Sequence, residues 1–182
     1  MKVTWLTQAG LLFENGNITV MVDPYLSDAM AENHPEKARR IPVDESYLKK
    51  QPDVIIITHD HIDHLDVQTL GPILANSKKA ITFLAPYNAH LALRAAFSPE
   101  HNYVMLNPHS VWSERGITFY AVHAEHSDRT AAGYILDDGE KTYYVSGDTL
   151  YNYDVIDDVN ELVEDGVDYA FLPINGKGNN MN

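Results

Sequence analysis

The 182 residues suit a single domain, and 45% hydrophobic with 21% charged residues is the composition of a folded globular chain, not a disordered one. Cysteine is absent, which excludes disulfides, a thiol nucleophile and every thiolate metal site, while a formal net charge of −13 argues against a nucleic-acid backbone or an anionic membrane as the main partner. The longest apolar run, Val54 to Ile57, is too short to cross a bilayer, and the start from Met1 to Leu6 lacks the apolar region of a secretory signal, so a cytoplasmic location is expected.

Thr4 to Leu6, Leu11 to Glu14 and Ile18 to Val22 are short apolar or β-branched runs that predict strands. Asn15-Gly16 joins the last two as a hairpin, because both residues tolerate positive φ, and Asp23-Pro24 stops the third. Residues 27 to 47 are polar, contain Pro35 and Pro42, and read as a loop with a short helix. Val54-Ile55-Ile56-Ile57 is the continuous β-branched run expected of a strand buried on both faces. Helical periodicity follows at Val67 to Leu74 and at Asn88 to Phe97, around a strand at Ile81 to Leu84. Tyr103 to Leu106, Ile117 to Val122, Gly133 to Leu136 and Thr142 to Val145 read as further strands, the last two joined by Asp138-Gly139. An amphipathic helix from Val155 to Val163 then precedes a buried strand, Tyr169 to Leu172. Strands open each half and helices close it, which predicts one α/β domain over residues 1–182, built as a four-layer αββα sandwich. Residues 176 to 182 form a loop ending on Asn182, a good helix N-cap with no helix after it, so the domain reads as C-terminally truncated.

The most informative stretch is Thr58-His59-Asp60-His61-Ile62-Asp63-His64-Leu65-Asp66, directly after the buried strand. Loops at strand ends carry chemistry because the sheet holds them rigidly. Imidazole and carboxylate are the donors left to a chain without cysteine, and they suit zinc, manganese or iron. In this loop His59 and His61 can converge on one ion while Asp63 and His64 turn towards a second. Asp60 and Asp66 are close enough to accept the outer ring N–H of a metal-bound histidine, with plain surface exposure as the equal alternative, and Asp23 can support the site from its strand end.

An HxHxDH motif after an apolar strand resembles the metallo-β-lactamase-fold hydrolases. Gln8-Ala9-Gly10, Asp23-Pro24-Tyr25-Leu26-Ser27-Asp28, Ala124-Glu125-His126-Ser127, Ser146-Gly147-Asp148-Thr149 and Leu172-Pro173-Ile174-Asn175-Gly176 are similar to the branch containing L-ascorbate-6-phosphate lactonase. The resemblance implies two divalent ions, manganese or zinc, with iron as a third choice. It gives His59, His61 and His126 to the first ion, Asp63 and His64 to the second, and Asp148 to both. The family completes its second site with a further histidine near the C-terminus, after one more helix and strand than this sequence contains. His126 is preferred over His123, which is kept as a substrate or supporting group.

Two close ions sharing a water lower its pKa towards neutrality, so hydrolysis needs no separate nucleophile, and Asp63 serves as the catalytic carboxylate that steers or accepts a proton. The resemblance implies a small ester or lactone, in particular a phosphorylated sugar-acid lactone, with Arg39, Arg40 and Lys177 as candidates to meet a phosphate. The expected partner is thus a small molecule, not a nucleic acid or a membrane, and self-association stays open. The alternatives are a phosphodiesterase on the same fold and a metal-binding module that no longer catalyses.

Overall fold

The structure, a computed structural model, describes residues 1–163 and 165–174. Among the described residues eleven strands divide between two sheets. The first contains, in spatial order, β1 (Lys2–Thr7), β2 (Gly10–Glu14), β3 (Thr19–Val22), β4 (Val54–Ile56), β5 (Thr82–Ala85) and β6 (Asn102–Met105). Its first three strands are antiparallel and β3 to β6 are parallel. The second runs β11 (Tyr169–Phe171), β10 (Thr142–Val145), β9 (Ala132–Asp137), β8 (Ile117–His123) and β7 (Val111–Glu114). It is antiparallel from β7 to β10, with β11 parallel to β10.

The side-chain period of a strand explains the layering. Val54 and Ile56 point into the core between the sheets, against Phe119, Ala121, Tyr134 and Leu136. Ile55 and the following Ile57 point the other way, under helices α2 (Val67–Asn76) and α3 (Tyr87–Ala96), where they meet Leu70, Ile73, Ala89 and Leu93. All four are completely buried, and each contributes roughly 1.5–3 kcal/mol by leaving water. On the far side, helix α4 (Tyr153–Leu162) lays Val155 on Val122, Ile135 and Tyr144. The result is the expected four-layer αββα sandwich.

Local chemistry sets the element ends. Asn15 Oδ1 accepts from the amides of Asn17 and Ile18, both at 3.1 Å, and Gly16 takes φ +86°, which closes the predicted β2–β3 hairpin. Asp66 and Asn152 cap α2 and α4, accepting from the amides of Gln68 and Asp154. The 27–47 loop holds a five-residue helix α1 (Ala29–Asn33) and 3-10 turns at Pro35–Lys37 and Glu45–Lys49. No helix among the described residues is long and apolar enough to cross a membrane.

Two elements differ from expectation. β7 has no counterpart in the strand assignment from sequence; it is half-exposed and pairs with β8 across Arg115-Gly116, both at positive φ. β11 is not a buried strand: it is the outermost strand of its sheet among the described residues, and Tyr169 is 51% exposed. The expected C-terminal loop from Gly176 to Asn182 lies outside the described residues.

Candidate metal centre

The parallel pairing of β3 with β4 brings two strand ends together, with Val22 opposite Ile56. Asp23 therefore emerges beside Thr58, and its amide still bonds the Ile56 carbonyl at 3.0 Å. It turns at φ +42°, a left-handed conformation that aspartate tolerates better than most residues. Its side chain is fully buried: Oδ1 accepts from the Thr58 amide at 2.8 Å, and Oδ2 from the Thr58 hydroxyl at 2.6 Å. Oδ2 also lies 2.7 Å from Nδ1 of His64. Thr58 Oγ1 in turn is 3.0 Å from Nδ1 of His59. One carboxylate thus orients two imidazoles, His64 directly and His59 through Thr58, and leaves the Nε2 atom of each turned away from the strand ends.

The second sheet supplies the other groups. His126 stands in the loop between β8 and β9, and Asp148 follows β10. Gly147 precedes Asp148 at φ +58°, and a Cβ there would lie 2.7 Å from Cβ of Thr58. Only glycine allows this approach, which sets Asp148 Oδ1 3.6 Å from Nε2 of His64. Donor atoms of His59, His61 and His126 all lie within 4.8 Å of one another, as do those of His59, His64 and Asp148.

The electrostatics fit a cation. Burial holds His59 in its neutral form, with the neighbouring His64, His126 and His61 acting in the same direction. Its Nε2 is buried and has no hydrogen-bond partner among the described residues, so an acceptor lone pair is aimed into the cluster with nothing to satisfy it. Burial works against a charge on His64 too, but the carboxylates of Asp23 and Asp148 overcome it and raise that group to about 10. Burial alone would raise Asp148, yet His64 outweighs it and holds the carboxyl below the usual range. The neutral His59 imidazole with its open lone pair and the Asp148 carboxylate are donors suited to a divalent ion of the zinc or manganese kind, and His64 would join them on giving up its Nε2 proton.

Of the residues singled out from sequence, His59, His61, His64, His126 and Asp148 converge. Asp63 belongs to neither triad; it lines the adjoining cavity with His64 and Asp148. His123 lies outside both triads, and its imidazole faces Glu125 at 3.7 Å.

Among the described residues Asp60 and Asp66 bond no imidazole, and of the two readings open from sequence Asp60 follows the exposed one. Asp66 is fully buried because it caps α2 and binds Ser27 Oγ at 2.7 Å and the Thr69 hydroxyl. Asp60 is exposed, and its carboxyl is raised by partial burial and by the neighbouring Asp128. Arg39 is held by the scaffold: its guanidinium bonds Thr7 Oγ1 and the carbonyls of Tyr25 and Ser27, and packs 5.0 Å from the centre of the Tyr25 ring. Arg40 is exposed on the same loop, and Lys177 lies outside the described residues.

Asp23 was legible as a candidate support from a strand end as well as a strand terminator, and Thr58 only as a motif flank. The available signal was that two strand ends, each followed by a polar residue, would be neighbours in a parallel sheet.

A cavity of about 530 Å³ opens from His64 and Asp148 towards Trp5, Leu11, Phe171 and Leu172. Its only charged walls among the described residues are Asp23, Asp63, His64 and Asp148; no lysine or arginine lines it.

Comparison with known proteins adds family information to this geometry. A family model described as a beta-lactamase superfamily domain matches residues 19–181. A UPF0173 metal-dependent hydrolase from Saccharolobus solfataricus is 32% identical over 180 residues, covering 97% of this chain and 72% of the relative. Another from Metallosphaera sedula is 30% identical, with coverage of 97% and 72%. Among solved structures, a candidate metal-dependent hydrolase from Parabacteroides distasonis superposes with a TM-score of 0.65 at 26% identity, over 96% of this chain and 70% of the other. The diiron β-hydroxylase CmlA from Streptomyces venezuelae reaches 0.71 at 21% identity, over 93% and 33%, a likeness of fold alone.

Proposed function

This chain belongs to the β-lactamase superfamily and within it to the UPF0173 metal-dependent hydrolases, and from that premise we propose that it hydrolyses a small, uncharged ester or lactone at a two-ion centre. His59, His61 and His126 would hold one ion, and His64 and Asp148 the other. The observation that carries the reading is the buried, unsatisfied Nε2 of His59 at the meeting point of both triads. A bound divalent ion supplies an acidified water and polarises the scissile carbonyl.

The remaining chemistry falls to the chain's own residues. Asp23 keeps the proton of His64 on Nδ1, so that Nε2 faces Asp148. Thr58 does the same for His59 through its hydroxyl. Asp63, on the cavity wall beside His64 and Asp148, accepts the proton that the attacking water loses. The cavity receives the substrate, and its apolar side towards Trp5, Leu11 and Leu172 excludes bulk water from the reacting carbonyl.

A lactone remains within this class, but the finer assignment to an ascorbate-6-phosphate lactonase has no support from these relatives. Among the described residues no cation lines the cavity to meet a phosphate, and Arg39 is committed to Thr7, Tyr25 and Ser27. The lack of a lysine or arginine on the cavity wall among the described residues weighs against a phosphodiesterase as well.

The test is turnover by the chain loaded separately with manganese and with zinc. Phenyl esters and γ-lactones would be compared with bis(p-nitrophenyl) phosphate, and His61→Ala would serve as control. Hydrolysis of esters or lactones that is lost in H61A supports the reading. Cleavage of the phosphodiester alone would transfer it to the phosphodiesterase alternative. Tight metal binding without turnover of any of these would favour a binding module.

A further inference from the structure

His61 and His126 belong to loops from different sheets. Their rings approach to 3.2 Å between Nδ1 of His61 and Nε2 of His126, and neither imidazole has another hydrogen-bond partner among the described residues. No carboxylate orients them as Asp23 orients His64, so their relative placement depends on how the two loops are tied. One tie is backbone: the Ala132 amide bonds the Thr58 carbonyl at 3.0 Å.

The other tie is Asp128, two residues after His126 and 93% buried by its 7% exposure. Its Oδ1 accepts from the amide and the hydroxyl of Thr130, both at 2.8 Å, and from Nδ2 of Asn88 on α3 at 2.9 Å. Its Oδ2 is buried without a hydrogen-bond partner. Asp60, the residue between His59 and His61, is a near neighbour whose charge acts on this carboxylate without bonding Oδ2. A turn that served only to shape the 126–130 loop would be complete with Oδ1. The second oxygen, buried two residues from His126 and without a partner among the described residues, is the part a local turn does not need.

We propose that Asp128 is a positioning residue for the His59–His61–His126 half of the centre, setting the His126 loop against the Asp60 turn so that His126 and His61 meet one ion. The proposal rests on the two-ion reading above.

Cobalt(II) titration of the full chain, followed by visible absorption and by competition with a chelator, tests it without recourse to turnover. His126→Ala identifies the spectral component that belongs to the three-histidine half. Asp128→Asn keeps the size of the side chain and an oxygen for Thr130, but removes the buried charge beside Asp60. It should weaken that component about 10–100-fold, the usual effect of losing a group that orients a ligand. The component assigned to His64 and Asp148 should stay within about twofold of wild type. Asn88→Ala removes the tie to α3 while leaving the face towards Asp60, and should leave both components within about twofold.

Wild-type cobalt affinity in D128N would overturn the proposal. So would equal weakening of both components, or a loss in N88A as large as in D128N, which would reduce Asp128 to an anchor for α3. A wild-type chain that binds no cobalt would overturn the two-ion reading and this proposal with it. Normal wild-type binding with an indifferent D128N would overturn the proposal alone.

Discussion

Replacing Asp23 by asparagine isolates the orientation of His64 from the rest of the site. Alanine is the cruder change. It would strand the Thr58 amide, the Thr58 hydroxyl and His64 Nδ1 in a region that water does not reach, and it would place alanine at φ +42°. Breaking a buried charged pair alone costs about 3–5 kcal/mol, a large part of a total stability of about 5–15 kcal/mol. Asparagine keeps the shape, tolerates the left-handed backbone and still offers an oxygen to Thr58. What it removes is the charged acceptor of His64, worth about 1.5–3 kcal/mol for a hydrogen bond to an ionised group. With an amide N–H facing Nδ1, His64 must accept there and carry its proton on Nε2, the atom that faces Asp148. D23N should therefore stay folded, lose about 1.5–3 kcal/mol in urea denaturation, and bind metal about 10–100-fold more weakly. Zinc competition against a chromogenic chelator, alongside the urea midpoint, measures both effects. If D23N bound both equivalents of zinc with wild-type affinity, the inferred control of the His64 tautomer by Asp23 would be wrong.

Other expectations follow from the same geometry. Gly147→Ala drives a methyl group to 2.7 Å from Thr58 at φ +58°; overpacking of about 1–3 kcal/mol should appear as a lower melting temperature together with weaker metal binding. Asp66→Ala should cost more than the loss of the α2 cap, about 0.5–2 kcal/mol, because the Ser27 and Thr69 hydroxyls also lose their buried acceptor at about 1–3 kcal/mol, yet leave metal stoichiometry unchanged, which elemental analysis checks. The metal-free chain should be most stable near neutral pH. Burial lowers His59 and His126, so the stability their neutral forms confer is present above about 6.5 and lost as pH falls. His64 is raised to about 10, so its contribution is present below 6.5 and lost as pH rises towards that value. Urea midpoints at acid, neutral and alkaline pH in the presence of a chelator would contradict this if they rose monotonically.

The parts of the fold that were legible in the sequence are those dictated locally. Val54 to Ile57 could be recognised as a two-faced strand because four β-branched residues in a row leave no polar face, and Asn15-Gly16 dictates its own turn. The histidine motif was legible because its donors are close in sequence. β7 was not, because Val111, Trp112, Ser113 and Glu114 lie half in water and show no clean alternation. Tyr169-Ala170-Phe171 misled in the opposite sense: apolar composition reports what a strand could bury, not whether it has a neighbour on both sides.

The supporting residues were harder to assign, since their roles depend on pairings distant in sequence. Asp23 becomes the partner of His64 only because β3 and β4 lie side by side, 41 positions apart at the bond itself. Asp66 and Arg39 were misjudged for the same reason. Ser27 and Thr69 claim the carboxylate, and Thr7, Tyr25 and Ser27 claim the guanidinium. No spacing rule reveals such claims.

The candidate centre draws three histidines from the end of β4 in one sheet, and His126 and Asp148 from the other sheet. Such a seam makes an ion a cross-link as well as a reagent: by gripping donors from both sheets, it would raise the free energy of prying the sandwich apart. Metal supply would then govern how long the protein survives proteases as well as how fast it works. Starvation for the metal would thin the population as well as stop the reaction, and hydrogen exchange across the β4–β9 seam would register the loosening independently of any assay of turnover.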